Sequence, residues 1–570
     1  MKCRCTLLFL AVGVVANAQD GENLPRDPSL PVMRGLLQRY ETDRRALQRS
    51  YSTPMSAAKA KRDIEFLKQW MYELDRVDFD RLRQDEKIDF ILLRNQIRHE
   101  ARSLKQEQKR IEESVALVPF RNLIVKLAED RRAMEPIEPK KSAEQLVELS
   151  KQIGDVEKRI QSGDIEANSI LANRAARQLN ELRRTLSGWH GFYDGYDPMF
   201  SWWTKTPYAR AANDLADYTK MVRNKFVGGD DDAVIGDPIG RDALMSELQY
   251  EMIPYTPEEL IKIANREFEW CEREMKRAAT DLGFDGDWHK AMEHTKGLHV
   301  EPGKQPALIR ELALEAIAYL KKNNLVTVPR LCEEVWRMTM LSPEHQKTSP
   351  YFLGGETIQV AFPTDSMDHS AKLMSLRGNN RHFARATVHH ELIPGHHLQG
   401  FMSQRYRAHR RQFRTPFLIE GWALHWEMLL WDMEFQESAE DRVGMLFWRA
   451  HRCARIIFSL NFHLKKMNAQ ECIEFLIKRV GHERNNATAE VRRSVSGAYG
   501  PLYQAAYMLG GLQMRSMHRQ LVGGKKMTNR EFHDAVLLEN SIPLELIRAS
   551  LLGTKLTRDY KTNWRFYDLK

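Results

Sequence analysis

A proline–glycine pair set between two histidine pairs places the tightest limit on how this chain can fold. The stretch is His389-His390-Glu391-Leu392-Ile393-Pro394-Gly395-His396-His397-Leu398-Gln399. Its surroundings carry the apolar spacing of helices, and a helix brings donor atoms together at i and i+4. Four positions on from His390, however, stands Pro394, which has no ligating atom. His396, six on, would lie about 240° round an unbroken helix, on the wrong face. Pro394 removes a backbone donor and crowds the carbonyl of residue 390, while Gly395 relaxes the chain. A bulge or kink is expected here, returning His396 to the side of His390. His397 keeps the right face on a regular helix, but about 10 Å further along its axis. The pairing of His389 with His396, seven apart, is the other one an unbroken helix allows.

Glu391 projects about 100° away from His390. It can reach a water near the imidazoles without competing as a ligand, which is the position of a general base. A second stretch, Glu420-Gly421-Trp422-Ala423-Leu424-His425-Trp426-Glu427, begins far enough downstream for one turn and an antiparallel return. A carboxylate from Glu420 would complete the three-ligand set of a catalytic zinc site, whose fourth position is left for water. Glu427 shares its face two turns on and is the alternative; it could also hold a ligand histidine from outside. The expected site is therefore one zinc ion per chain on His390, His396 and Glu420, with Glu391 as base.

Such a site needs an enclosed cleft, and 570 residues, 42% of them hydrophobic, can build one. Lys2 and Arg4, an apolar run from Thr6 to Ala16 and the small residues Ala16-Asn17-Ala18 read as a secretory signal peptide cleaved after Ala18. That run is too short to span a bilayer, and no later stretch reaches 18 apolar residues. The mature protein is expected to be secreted or periplasmic, with no membrane segment. Cys271, Cys332, Cys453 and Cys472 then remain. Their spacing fits no CxxC pair, and four buried thiols are favoured over disulfides. Removing Lys2 and Arg4 lowers the net charge from +9 to +7. The cations are interleaved with acids on helical faces, which argues for solvation and against a nucleic-acid partner. The basic segment 405–414 is read the same way.

Residues 30–190 show helical periodicity at 32–47, 64–77, 88–115, 146–160 and 170–186. Between 187 and 255 the pattern breaks into aromatics (Trp189, Tyr193, Tyr196, Phe200, Trp202, Trp203) and an acidic, glycine-rich loop. Those aromatics could line a cleft or pack between lobes. Thr256-Pro257-Glu258-Glu259 starts a helix running to 279, and others are expected at 306–322, over most of 380–480, at 528–539 and at 544–551. Segment 356–362 alternates like a strand, to pair with an extended peptide or to serve structure alone. The reading is mainly α: a two-lobed, multi-helical fold with a small β element near the cleft. It divides into a signal at 1–18, a helical lobe at 19–255 and a metal-binding lobe at 256–570. No GxSxG, phosphate-binding loop or dinucleotide fingerprint is present.

The two stretches resemble a bacterial family of domains of unknown function, numbered 885, which is placed among gluzincin-like metallopeptidases. Its pattern HExxPGHHLQ is matched in full from His390 to Gln399, and EGWAL with a later Glu by Glu420 to Leu424 and Glu427. His425 stands where the family commonly has Tyr. Of the third segment, PGQxxxYxxG, Pro501, Tyr507 and Gly510 fit, with Leu502-Tyr503 replacing Gly-Gln. The resemblance implies a helical fold with a buried cleft, as in oligopeptidases and carboxypeptidases of that clan. It selects Tyr507 as the hydrogen-bond donor to a developing oxyanion, ahead of Tyr503 on the same face. The function expected is a secreted zinc metallopeptidase acting on oligopeptides. The rivals are an inactive binding or scaffold protein of the same fold and a zinc amidase cutting non-peptide amides. End preference and oligomeric state have no signature here.

Overall fold

Apolar residues recurring every three or four positions resolve into helices almost throughout a computed structural model, which describes residues 29–228, 233–346, 351–497 and 499–569. The signal-peptide segment and residues 229–232 of the acidic loop lie outside the described residues. The helices expected at the start are Val32–Ser50, Ala57–Asp75, Gln84–Glu113, Pro139–Gln161 and Ser169–Tyr193. Thr256 caps Pro257–Asp281 reciprocally: its hydroxyl accepts from Glu259 N, and Glu259 accepts from Thr256 N at 2.8 Å.

Residues 187–255 do not break the pattern as expected. Ser169–Tyr193 runs on past Trp189, Asp197 caps Pro198–Phe226, and Arg241–Tyr250 follows. Trp189 and Phe200 pack with Tyr218 inside the N-terminal helices, while Tyr196 and Trp202 are exposed. None of the six aromatics reaches the cleft described below.

The buried apolar residues do not divide at residue 255. Those of 117–222 form one cluster, but Met33 to Ile97 share a larger one with residues 244–566. Arg410 ties these parts together rather than facing solvent. It is fully buried, with Nε 2.6 Å from Asp89 Oδ1 and a second contact to Glu539.

The β element is small. Thr357–Val360 pairs in parallel with Arg337–Met340, in register from Arg337↔Thr357 to Met340↔Val360. Leu353 bridges Gln359 on the other side, with N–H···O distances of 3.0 and 2.8 Å. Both edges of the strand are thus engaged at Gln359, leaving no free edge there for a peptide. Ile358 and Val360 pack with Val388 and Leu392 behind the His390 helix, so the strands brace the site. Cys271, Cys332, Cys453 and Cys472 are buried free thiols. Among the described residues, no helix is long and apolar enough to cross a membrane.

Candidate metal centre

Asn380 caps the helix Arg381–Glu391, its side chain accepting from His382 N and Phe383 N. That helix ends one residue after His390. Leu392 to Gly395 leave it, and a new helix, His396–Ser403, starts at the second histidine pair. The expected bulge is therefore a full break. A Cβ at Gly395 would lie 1.7 Å from His390 O, so the turn closes only with glycine.

The second stretch clamps this turn. Trp422 Nε1 donates to Pro394 O at 2.7 Å, and Gln399 Nε2 donates to Leu418 O at 3.1 Å. Both acceptor and donor partners lie on the helix Pro416–Asp432, whose Thr415 cap accepts from Phe417 N. Against it packs Tyr503–His518, crossing at Gly421 and Gly510. A Cβ on Gly421 would come 2.4 Å from Gly510 C, and one on Gly510 would come 2.0 Å from Phe417 O. Pro501 precedes this helix in a turn rather than beginning it.

These contacts converge His390, His396 and Glu420. Glu420 Oε2 lies 3.6 Å from His390 Nε2 and 3.3 Å from His396 Nε2. Tetrahedral zinc with bonds of about 2.0–2.2 Å separates its donors by roughly 3.3–3.6 Å. Glu420 Oε2 is also buried and accepts no hydrogen bond, an orphan that a cation would satisfy. Distance also groups one donor atom each of His390, Glu391 and His396 within 4.8 Å. Glu391 Oε2 is 4.0 Å from His396 Nε2, however, so Glu420 is the closer carboxylate and Glu391 stands beside the set. Two imidazoles and one carboxylate at these separations are a donor set that fits zinc.

The surroundings orient these groups. Glu427 Oε1 is 2.6 Å from His390 Nδ1, so it holds the ring from behind and turns Nε2 inward. Tyr503 Oη donates to Glu420 Oε1 at 2.6 Å. The Tyr507 ring lies parallel to His390, with centroids 6.2 Å apart. Burial works against charge on His390, but Glu420 and Glu427 outweigh it and hold the imidazole at about 9. Burial likewise opposes the Glu420 anion, yet His396 and His390 keep it well below the usual carboxylate range. The pocket is built to favour positive charge between its carboxylates. Burial raises Glu391, against the pull of His390 and His396, and pushes Tyr507 up to about 12. A cavity of about 560 Å³ opens onto Glu391, the three candidate ligands and both tyrosines.

The remaining histidines turn elsewhere. His397 Nε2 meets Cys332 O at 2.8 Å, and His389 Nδ1 meets Arg385 O at 2.8 Å. His425 is buried against His533, with Nε2 atoms 3.0 Å apart, and does not line the cavity. Sequence reasoning missed Arg452, Arg455 and Arg493, which line the same cavity. A signal was present: Arg452 and Arg455 stand three apart in a helix that is otherwise largely apolar, Ala439–His463.

No curated protein matches the sequence. In three dimensions the chain is similar to a protein of unknown function from Shewanella oneidensis, described as a candidate lipoprotein. The TM-score is 0.68 at 16% identity, over 92% of this chain and 100% of that one. A candidate lipoprotein from Colwellia psychrerythraea is similar with a TM-score of 0.60 at 14% identity, covering 91% of this chain and 98% of its own. These likenesses establish the fold. Residues 37–551 match the model of a family described as bacterial protein of unknown function (DUF885), and with most of its length matched the chain belongs to that family.

Proposed function

We propose that the protein is an exported, zinc-dependent metallopeptidase that hydrolyses peptide bonds of oligopeptides. The observation that carries this reading is the buried Glu420 Oε2, without a hydrogen bond, facing the Nε2 atoms of His390 and His396. His390, His396 and Glu420 would hold the ion, which supplies Lewis acidity toward water and the scissile carbonyl. Glu391 takes a proton from the attacking water and returns it to the leaving amine. Its raised pKa, set first by burial, suits a group that must both accept and release a proton. Tyr507, on the cavity wall beside His390, donates to the oxyanion as it forms. Tyr503 keeps Glu420 aimed, and Glu427 does the same for His390. The order of His-Glu, second His and a carboxylate from the next long helix supports a likeness to gluzincin-like peptidases. The signal-like N-terminus and the similarity to candidate lipoproteins support export.

A peptide-library digest read by mass spectrometry tests this. The zinc-loaded protein cleaves, chelation stops cleavage, and added zinc restores it. A folded protein that binds one zinc and cleaves no peptide would overturn the proposal.

A further inference from the structure

The cavity is also lined by arginines that the proposed chemistry does not use. Arg452 and Arg455, each 4% exposed, lie one turn apart on Ala439–His463, and Arg493 comes from Arg484–Val495. Three guanidinium groups meet two carboxylates. Arg455 Nε donates to Glu490 Oε1 at 2.7 Å, and Arg493 Nε lies 3.8 Å from Glu490 Oε2. Arg452 Nη2 is 3.6 Å from Glu427 Oε1, an atom already bonded to His390. Arg452 Nε, Arg455 Nη1 and Arg493 Nε are buried without a hydrogen bond. Two nearby histidines do not add to the charge, since burial drives both His451 and His482 well below neutrality. Each guanidinium has a carboxylate within 4 Å, yet these three buried N–H groups lack an acceptor, and a buried donor left unsatisfied is costly.

Its position relates it to the reaction. The guanidiniums of Arg452 and Arg455 sit 4.7 and 4.5 Å from the Tyr507 ring centroid, and that ring stacks on His390. The corner is thus one aromatic ring away from a candidate metal ligand. An arginine fork matches a carboxylate in two parallel hydrogen bonds.

We propose that Arg452, Arg455 and Arg493 bind the α-carboxylate at the end of a peptide substrate, making the protein a carboxypeptidase. The inference rests on the peptidase reading above. An extended residue spans about 3.5 Å, so a carboxylate anchored one ring from His390 leaves one or two residues beyond the scissile bond. Hydrolysis then breaks that C–N bond; water gives OH to the acyl carbon and a proton to the amine. The products are a shortened peptide and a free amino acid or dipeptide.

Calorimetry on the zinc-loaded Glu391→Gln protein separates binding from turnover. The probes are one N-acetylated tripeptide as the free acid, its C-terminal amide, and the same amide ending in Glu. The acid is expected to bind at least tenfold tighter than either amide. Arg455→Lys, which keeps the charge but loses the fork, should bring acid and amide within about threefold. If Lys disturbs folding, the pair Arg455→Met with Glu490→Gln removes both buried charges together and should also erase the preference. Equal binding of acid and amide overturns the proposal, as does an amide ending in Glu that binds like the acid. Turnover by the wild-type protein is scored separately. Internal cleavage together with equal binding sinks the carboxylate corner alone, whereas acid-selective binding without cleavage of any peptide sinks the peptidase reading and keeps the corner.

Discussion

Replacing Glu427 by Gln isolates what a carboxylate outside the ligand set contributes to metal binding. In the folded protein Glu427 Oε1 accepts from His390 Nδ1 at 2.6 Å in a buried setting, with Arg452 behind it. A hydrogen bond to a charged group contributes about 1.5–3 kcal/mol, and a neutral one about 0.5–1.5 kcal/mol. Gln keeps an acceptor of similar shape, so the expected loss is the difference, roughly 1–2 kcal/mol. At 1.4 kcal/mol per tenfold, zinc affinity should fall about 5- to 30-fold. That sits at the lower end of the effect usual for partners of metal-bound histidines, about 10- to 100-fold. Competition against a chromophoric zinc chelator measures it, with circular dichroism confirming the fold. Unchanged affinity would mean that Glu427 does not hold the ring. Complete loss of zinc, matching Glu420→Ala, would make Glu427 itself a ligand.

Glu391→Gln should keep one zinc per chain and lower peptide cleavage by about 100-fold or more, the usual contribution of a general base; loss of zinc would move Glu391 into the ligand set. Tyr507→Phe should reduce kcat about 100-fold with KM changed less than about twofold, the signature of a donor used in the transition state. An unaltered kcat would pass that role to Tyr503. Burial, with help from Glu247 and against Thr415, raises Glu251 from its ordinary 4.5 to about 8 in the folded protein. Its protonated form stabilises the fold fully below pH 4.5, and that share is lost between about pH 4.5 and 8, at up to about 1.4 kcal/mol per pH unit. Relative to wild type, Glu251→Gln should therefore be more stable at pH 8 than at pH 5 in urea unfolding. The same difference at both pH values would show that Glu251 does not titrate between them in the folded protein.

Helices were legible wherever apolar spacing and end signals agreed, as at Thr256 and Thr528, which both form reciprocal caps. They were hidden at 187–255, where exposed rings such as Tyr196 and Trp202 blur the buried stripe. Asp197-Pro198, a cap followed by a first-turn proline, was the signal overlooked there. In the site, His390, Glu391, His396 and Glu420 could be read because Pro394 and Gly395 limit what the backbone can do. The fates of the neighbouring histidines were less accessible. His389 is drawn to a carbonyl one turn back, but His397 is claimed by Cys332 O, which only the tertiary fold brings near. The strand Arg337–Met340 alternates, as Arg-Met-Thr-Met, over only four residues, too short a run to stand out, and it gains its partner from a segment after it. Arg452 and Arg455 stood out only by their apolar neighbours, and their place beside Tyr507 comes from the helix packed over them.

The proposed metal centre requires that the broken turn deliver His396, and not His397, to the ion. Zinc content per chain, measured by plasma mass spectrometry on purified and folded His396→Ala and His397→Ala proteins, decides between them. The geometry predicts one zinc per chain in the wild type and in His397→Ala, and almost none in His396→Ala or Glu420→Ala. Zinc retained by His396→Ala and lost by His397→Ala would contradict it.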